Sequence, residues 1–308
     1  MTVTAGRAGS RSAPVHPELR AHTPEGIGRV GMQLTWLVAV LAFPAALAGL
    51  FIDDVYPGAA STAEMFRGYD LVTALMVVPG LAVASILGRR GSTRAKLVAV
   101  SLVAYLVYTY AYYLFGTGFN DLFVLHAAVF ATGLFALILT LVDIGVPSVA
   151  NRFDARTRVR PIAAILGTLG VALGGMWTYF AIDNAVTGDV PAGSQLIETD
   201  TIVHLGMALD LTLLVPLYAV AAVLLWRRHP WGYVLSTIAV FAGLLHQVSY
   251  IVAMPFQVAA DIPDAVSYDP GEPVIVLLYL VAAVLLLRGT ARGGRSSDRC
   301  GRSLGEER

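Results

Sequence analysis

Charge is scarce in this sequence, and cysteine is scarcer still. Only 14% of the 308 residues are charged, and the single cysteine, Cys300, stands in a basic tail. One thiol cannot form an intrachain disulfide, so the redox compartment has to be read from topology instead. Lysine is nearly missing too: of the 21 basic residues all but Lys96 are arginine, a usage that points to a GC-rich bacterial genome. The chain has no Gly-rich phosphate loop, no HExxH and no CxxC, and a serine-hydrolase arrangement would have to be assembled from distant segments. These absences leave ATP-driven transport and catalysis of the conventional soluble kind without support.

Apolar residues fill the space. They make up 56% of the chain, well beyond an ordinary soluble domain. Runs long enough to cross about 30 Å of hydrocarbon at about 1.5 Å per residue occur at 30–51, 69–88, 95–115, 121–143, 161–183, 202–226, 231–254 and 273–288. No barrel-like alternation is visible, and an apolar run in lipid must satisfy its own backbone, so the expectation is an all-α polytopic membrane protein with eight transmembrane helices. The last run is short; it has to recruit residues before Pro273 or sit where the bilayer is thin. The N-terminal stretch has no apolar core near its start, so the first helix reads as a retained anchor rather than a cleaved leader.

Arginine and lysine fix the orientation, because short cytoplasmic loops retain positive charge. They fall in the N-terminal tail (Arg7, Arg11, Arg20, Arg29), after the second run (Arg89, Arg90, Arg94, Lys96), after the fourth (Arg152, Arg156, Arg158, Arg160), after the sixth (Arg227, Arg228) and from Arg288 onward. Only Arg67 falls on the opposite side, where Asp53, Asp54, Glu64, Asp121, Asp189, Glu198, Asp261, Asp264, Asp269 and Glu272 gather. Both termini are therefore expected in the cytoplasm, with the chain in a bacterial plasma membrane. The expected organisation is a membrane domain over 29–288 between two basic tails, 1–28 and 289–308. The tails are rich in Gly, Ser, Pro and Arg, without a periodic apolar face, and read as disordered. They suit anionic lipid headgroups rather than nucleic acid.

The sequence also repeats itself. The second run reads DLVTALMVVPGLAVASILGRR from Asp70, and the sixth reads DLTLLVPLYAVAAVLLWRR from Asp210. The offsets are 140 for the Asp, 137 for the Pro and 138 for the Arg pair. Halves of 29–143 and 161–288, with four helices each, would be parallel repeats about an axis along the membrane normal. Pro44, Pro79 and Pro216 fall inside runs, where a missing backbone donor invites a kink.

Measured up from the cytoplasmic end of each run, Asp210, His246, His126, Tyr112 and Trp177 come out at about 23–25 Å and Asp70 at about 27 Å. They form one polar layer in the outer leaflet. Tyr105, Tyr108 and Tyr112 share one helix face, expected to turn inward, where phenolic hydroxyls need partners. Tyr110 and Tyr113 form a second face, expected to be an aromatic belt at the membrane surface. Asn120 or Asp121 is expected to cap the fourth helix, His204 to lie at the mouth of the sixth, and Tyr250 to share the face of His246. Asp210 is the sharpest signal. An acid within a span costs roughly 2.5–3.5 kcal/mol at the helix centre on insertion scales, less toward the interface, and must be protonated, paired with His246 or His126, or holding a cation.

The blocks YDLVTALMVVPG, YTYAYYLFGTGFNDLFVLH and LLWRRHPWGYVL resemble those of a family of bacterial multispanning membrane proteins with no established activity. The resemblance spans about 30–288 and implies a self-contained membrane domain; it carries over no catalytic residue. Three functional readings fit. The favoured one is a binding or transport protein whose layer receives a small solute, cation or proton from the outer side. The second is a membrane-embedded enzyme with a metal on His126, Asp210 and His246, or a haem electron carrier on one or two of these histidines. The third is an assembly or sensory protein in which the layer only ties helices together.

With both ends cytoplasmic, a membrane-impermeant maleimide added to intact cells should leave Cys300 unmodified and should label it once the membrane is permeabilised. Labelling of intact cells would invert the topology.

Overall fold

The computed structural model describes residues 26–190 and 195–291. Among these residues all regular structure is helical. Eight helices are long and apolar enough to cross a membrane. They are α1 (Ile27–Phe51), α2 (Ala60–Arg89), α3 (Thr93–Phe115), α4 (Phe123–Asp143), α5 (Val159–Thr187), α6 (Asp200–Trp226), α7 (Pro230–Ala259) and α8 (Glu272–Ala291). A single turn, Val146–Ala150, interrupts the link between α4 and α5. The two expected tails lie, apart from their innermost residues, outside the described residues.

Every apolar run has become a helix, and the departures are at the ends. α2 begins well before its apolar run, because Arg67 is neutralised there by Asp53 at 2.8 Å and Glu64 at 3.3 Å, which lets a charged turn continue the helix. α8 gains one residue before Pro273, Glu272, and three beyond Arg288, to Ala291. Local chemistry sets the remaining boundaries. Ser92 Oγ accepts the Ala95 N–H at 3.3 Å at the start of α3. Neither Asn120 nor Asp121 caps α4: Leu122 stands at the N-cap position without a side-chain cap, and Asn120 instead stabilises the turn before it, its Oδ1 accepting the Leu122 N–H at 3.0 Å. Gly188 closes α5 in the left-handed conformation, φ 80°, which a side chain would resist.

Two spans change pitch midway. In α2, Thr73–Val77 is a π-turn, with the Val78 N–H bonded to the Thr73 carbonyl; in α6, Asp210–Leu214 is another, with the Val215 N–H bonded to the Asp210 carbonyl. Each is followed at once by a proline, Pro79 or Pro216, within the next α-helical stretch. A proline ring crowds the carbonyl four residues earlier and supplies no N–H, and widening the preceding turn by one residue relieves both problems.

The helices form two rings. In the first, α1 packs on α2 and α4, and α3 packs on α2 and α4; in the second, α5 packs on α6 and α8, and α7 packs on α6 and α8. Between the rings, α7 lies against α2 and α3, and the first part of α6 lies against α3. α3 and α7 are therefore central: their apolar windows are 78% and 56% buried, against 22% to 44% for the other six. One apolar core gathers Val38, Phe66, Leu106 and Ala253; the other gathers Ile162, Leu166, Leu225 and Ala282.

Close approach of α2 to α7 depends on Gly68, where an added Cβ would collide with the Ala253 backbone. Gly68→Ala should cost about 1–3 kcal/mol by overpacking and lower the melting temperature of the detergent-solubilised protein. Gly175→Ala, on α5 with open space around it, should leave the melting temperature unchanged or slightly raised, because alanine has the better helix propensity.

Candidate functional site

Asp210 opens the π-turn of α6 and is only 7% exposed. A carboxylate in that position needs donors, and neighbouring helices supply one to each oxygen. Tyr108 of α3 donates its hydroxyl to Oδ1 at 2.5 Å, and Trp177 of α5 donates Nε1–H to Oδ2 at 2.7 Å. The Tyr112 hydroxyl stands 3.3 Å from that of Tyr108. With the carboxyl ionised, Tyr112 donates to Tyr108 and Tyr108 to the acid. The His246 ring of α7 meets the Tyr108 ring edge-on at 5.0 Å. Its Nδ1 is buried and has no hydrogen-bond partner among the described residues. Four helices thus converge on one carboxyl.

Asp70 of α2 makes a second node. It is 1% exposed, and its Oδ2 accepts the Tyr56 hydroxyl at 2.6 Å while Oδ1 accepts that of Tyr113 at 2.9 Å. His126 of α4 lies among rings here, 4.9 Å from Tyr113, 5.6 Å from Tyr110 and 6.1 Å from Tyr56 between centroids. Its Nδ1 too is buried and unpartnered. α1 closes over this node at Gly49, where a Cβ would overlap the Asp70 carboxyl and the Tyr56 hydroxyl; only a glycine lets the backbone come so near.

The expected meeting of Asp210, His126 and His246 is divided between these nodes. His246 joins Asp210, whereas His126 joins Asp70, and no group of three or more His, Cys, Asp or Glu that could hold a metal ion occurs among the described residues. The second tyrosine face needs a correction as well. Tyr110 and Tyr113 are each 1% exposed, not a surface belt, because that face of α3 turns toward α1 and α2, where Tyr113 meets Asp70 at 2.9 Å and Tyr110 meets the Ala42 carbonyl at 3.5 Å. Tyr105 turns inward as expected, but it bonds Ser249 of α7 at 2.6 Å rather than an acid. Tyr250 serves the connection before α6: its hydroxyl accepts the N–H groups of Gln195 and Leu196 at 3.0 and 3.1 Å. His204 is exposed near the start of α6, as a mouth residue should be.

Some contributors escaped the sequence reading. Tyr56 lies in the turn between α1 and α2, and nothing local marks it as a donor to Asp70. Gln257 carried a signal, an amide in an apolar helix. Its Oε1 accepts the Ile197 N–H at 2.9 Å, and its Nε2 lies 2.8 Å from the Ile197 carbonyl and 2.9 Å from that of Ser61. Beside the Asp210 node, a crevice of about 440 Å³ separates α3 and α4 from α6 and α7, with Tyr108 and His246 in its wall.

These features define a class, a multispanning helical membrane protein with a buried Asp/Tyr network. Comparison with family models, with curated proteins and with solved structures returns no match, so the resemblance of the three sequence blocks identifies no family.

If each node is a bonded unit, the stability effects of Asp70→Asn and Tyr113→Phe should be non-additive by about 0.6 kcal/mol and at most about 1.7, as for interhelical hydrogen bonds in membranes. Asp70→Asn and Trp177→Phe, in different nodes, should add. Thermal or denaturant unfolding in one detergent measures both cycles.

Proposed function

We propose that the protein is a binding or transport protein that receives a small solute at the Asp210 node and exchanges a proton there, in the outer half of a bacterial plasma membrane with both termini cytoplasmic. One observation carries the reading. The buried carboxyl is linked through the Tyr108 hydroxyl to that of Tyr112, on the α3 turn that precedes the Phe115 end of the helix. Ionisable groups linked to one another inside spans mark proton relays in membrane proteins. The unpartnered imidazole beside it provides a second group able to bind or pass a proton.

A parallel duplication supports the same reading. The π-turns begin at Thr73 and Asp210 and the prolines stand at 79 and 216, each pair offset by 137, and the two rings share the same four neighbouring helix pairs. In that register Asp70 is one helical turn away from the position of Asp210, so the nodes are related but not equivalent. A division of labour follows: the Asp70 node braces the first ring, and the Asp210 node does the exchange.

A purely structural role has one observation in its favour, since every carboxylate oxygen of both acids already has a protein donor. Purified protein in vesicles containing a pH-sensitive dye, under a potassium diffusion potential, separates the two. Proton exchange predicts uptake that falls at least tenfold in Asp210→Asn and by less in Tyr108→Phe, with both variants folded by circular dichroism and gel filtration. Equal rates in wild type and Asp210→Asn would remove the exchange reading and leave the structural one.

A further inference from the structure

The crevice next to the Asp210 node has a chemistry of its own. Its walls are hydrocarbon and aromatic, among them Phe115, Phe130, Leu134, Leu137, Leu209 and Leu213. Phe115, Leu134 and Leu213 are exposed, so the crevice opens sideways, between helices, onto the surface that lipid covers. Its volume of about 440 Å³ falls within the roughly 300–1,000 Å³ of small-molecule sites. No Asp, Glu, Lys or Arg lines it, and its polar groups are Tyr105, Tyr108 and the imidazole of His246. The hydroxyls of Tyr105 and Tyr108 are already committed to Ser249 and Asp210. The His246 imidazole is not: no hydrogen bond to it occurs among the described residues, and its buried Nδ1 has no partner.

We propose that this crevice admits, from within the bilayer, a neutral lipid-soluble molecule with an apolar body and one hydroxyl or carbonyl terminus, held by a hydrogen bond to His246. The inference rests on the Asp210 node being the working site, and it names the class of solute that reaches it. Apolar walls select the body, because a polar chain entering them would lose its water without compensation. The terminus is neutral for two reasons. The walls offer no cation to an anion, and the Asp210 carboxylate behind Tyr108 repels one; a cation finds that carboxylate screened by the Tyr108 ring and both of its oxygens occupied. A bare acyl chain would fill the volume but leave the imidazole unsatisfied, which costs free energy in a low-dielectric site.

Photolabelling of the full-length protein in native-lipid nanodiscs tests this with three diazirine probes of equal chain length: hexadecanol, hexadecanoic acid at a pH where it is ionised, and hexadecane. Labelled peptides are mapped by mass spectrometry. The expected result is labelling of the α3 and α7 segments around Tyr108 and His246 by the alcohol at least fivefold above the acid and the alkane. That labelling should fall at least fivefold in Leu134→Trp, which fills the crevice, and should drop to the alkane's level in His246→Phe, with recovery in His246→Gln. Labelling that is equal for all three probes, or unchanged in Leu134→Trp, would mean that the crevice holds bulk lipid only and would overturn the proposal. A preference kept in full by His246→Phe would overturn it as well. Proton uptake by Asp210→Asn reports separately: specific labelling together with uptake that ignores Asp210 retires the exchange reading and keeps the lipid-soluble ligand.

Discussion

A carboxylate surrounded by hydrocarbon has to be given donors, and the arrangement of this bundle follows from doing so twice. Asp70 and Asp210 each receive one donor per oxygen, and one donor at each acid comes from α3, Tyr113 on one side and Tyr108 on the other. A helix that must reach two acids on different neighbours cannot lie at the edge. α3 is accordingly the most enclosed span, its tyrosines spread around the helix rather than along one stripe. The remaining donors, Tyr56 and Trp177, come from the periphery and pin the α1–α2 turn and α5 to the centre. Burial of acids, normally unfavourable in a membrane, here ties neighbouring helices together through their side chains.

The two π-turns fit the same constraint. A regular helix fixes the direction of each side chain at 100° per residue, whereas one extra residue in a turn rotates everything beyond it. Asp210 is the first residue of such a turn, and Asp70 lies less than one turn before its own. The prolines that provoke the widening, Pro79 and Pro216, stand nine and six residues beyond the acids. They bear on the acids through the way the helix winds between them.

The outline of the fold could be read from the sequence because its cause is local. Eight apolar runs of spanning length became eight helices, and the boundaries moved by a few residues at the ends, furthest at the start of α2, where the ion pairs of Arg67 let a polar turn stay helical. Asp70, Asp210, His126 and His246 stood out for the same reason, a polar group in an oily run. Their pairing was not legible. Whether Tyr113 faces lipid or an acid depends on whether α3 is central, and that is a property of all the other helices together. The expected three-way meeting failed on the same point: heights along a helix can be counted from its end, but rotation about the axis cannot, least of all beyond a π-turn. Tyr56 was invisible because a turn residue acquires a partner only when the chain closes, and Gly49 because its role is to have nothing in the way.

The connection leading into α6 is held by two side chains of a single helix. Tyr250 and Gln257 clasp Gln195, Leu196 and Ile197 by their backbones, and Gln257 reaches across to Ser61 at the start of α2. His246 belongs to that same α7. A rotation of α7 would therefore carry the clasp and the imidazole together, so that the segment capping the acid-rich end and the group lining the crevice behave as two arms of one lever.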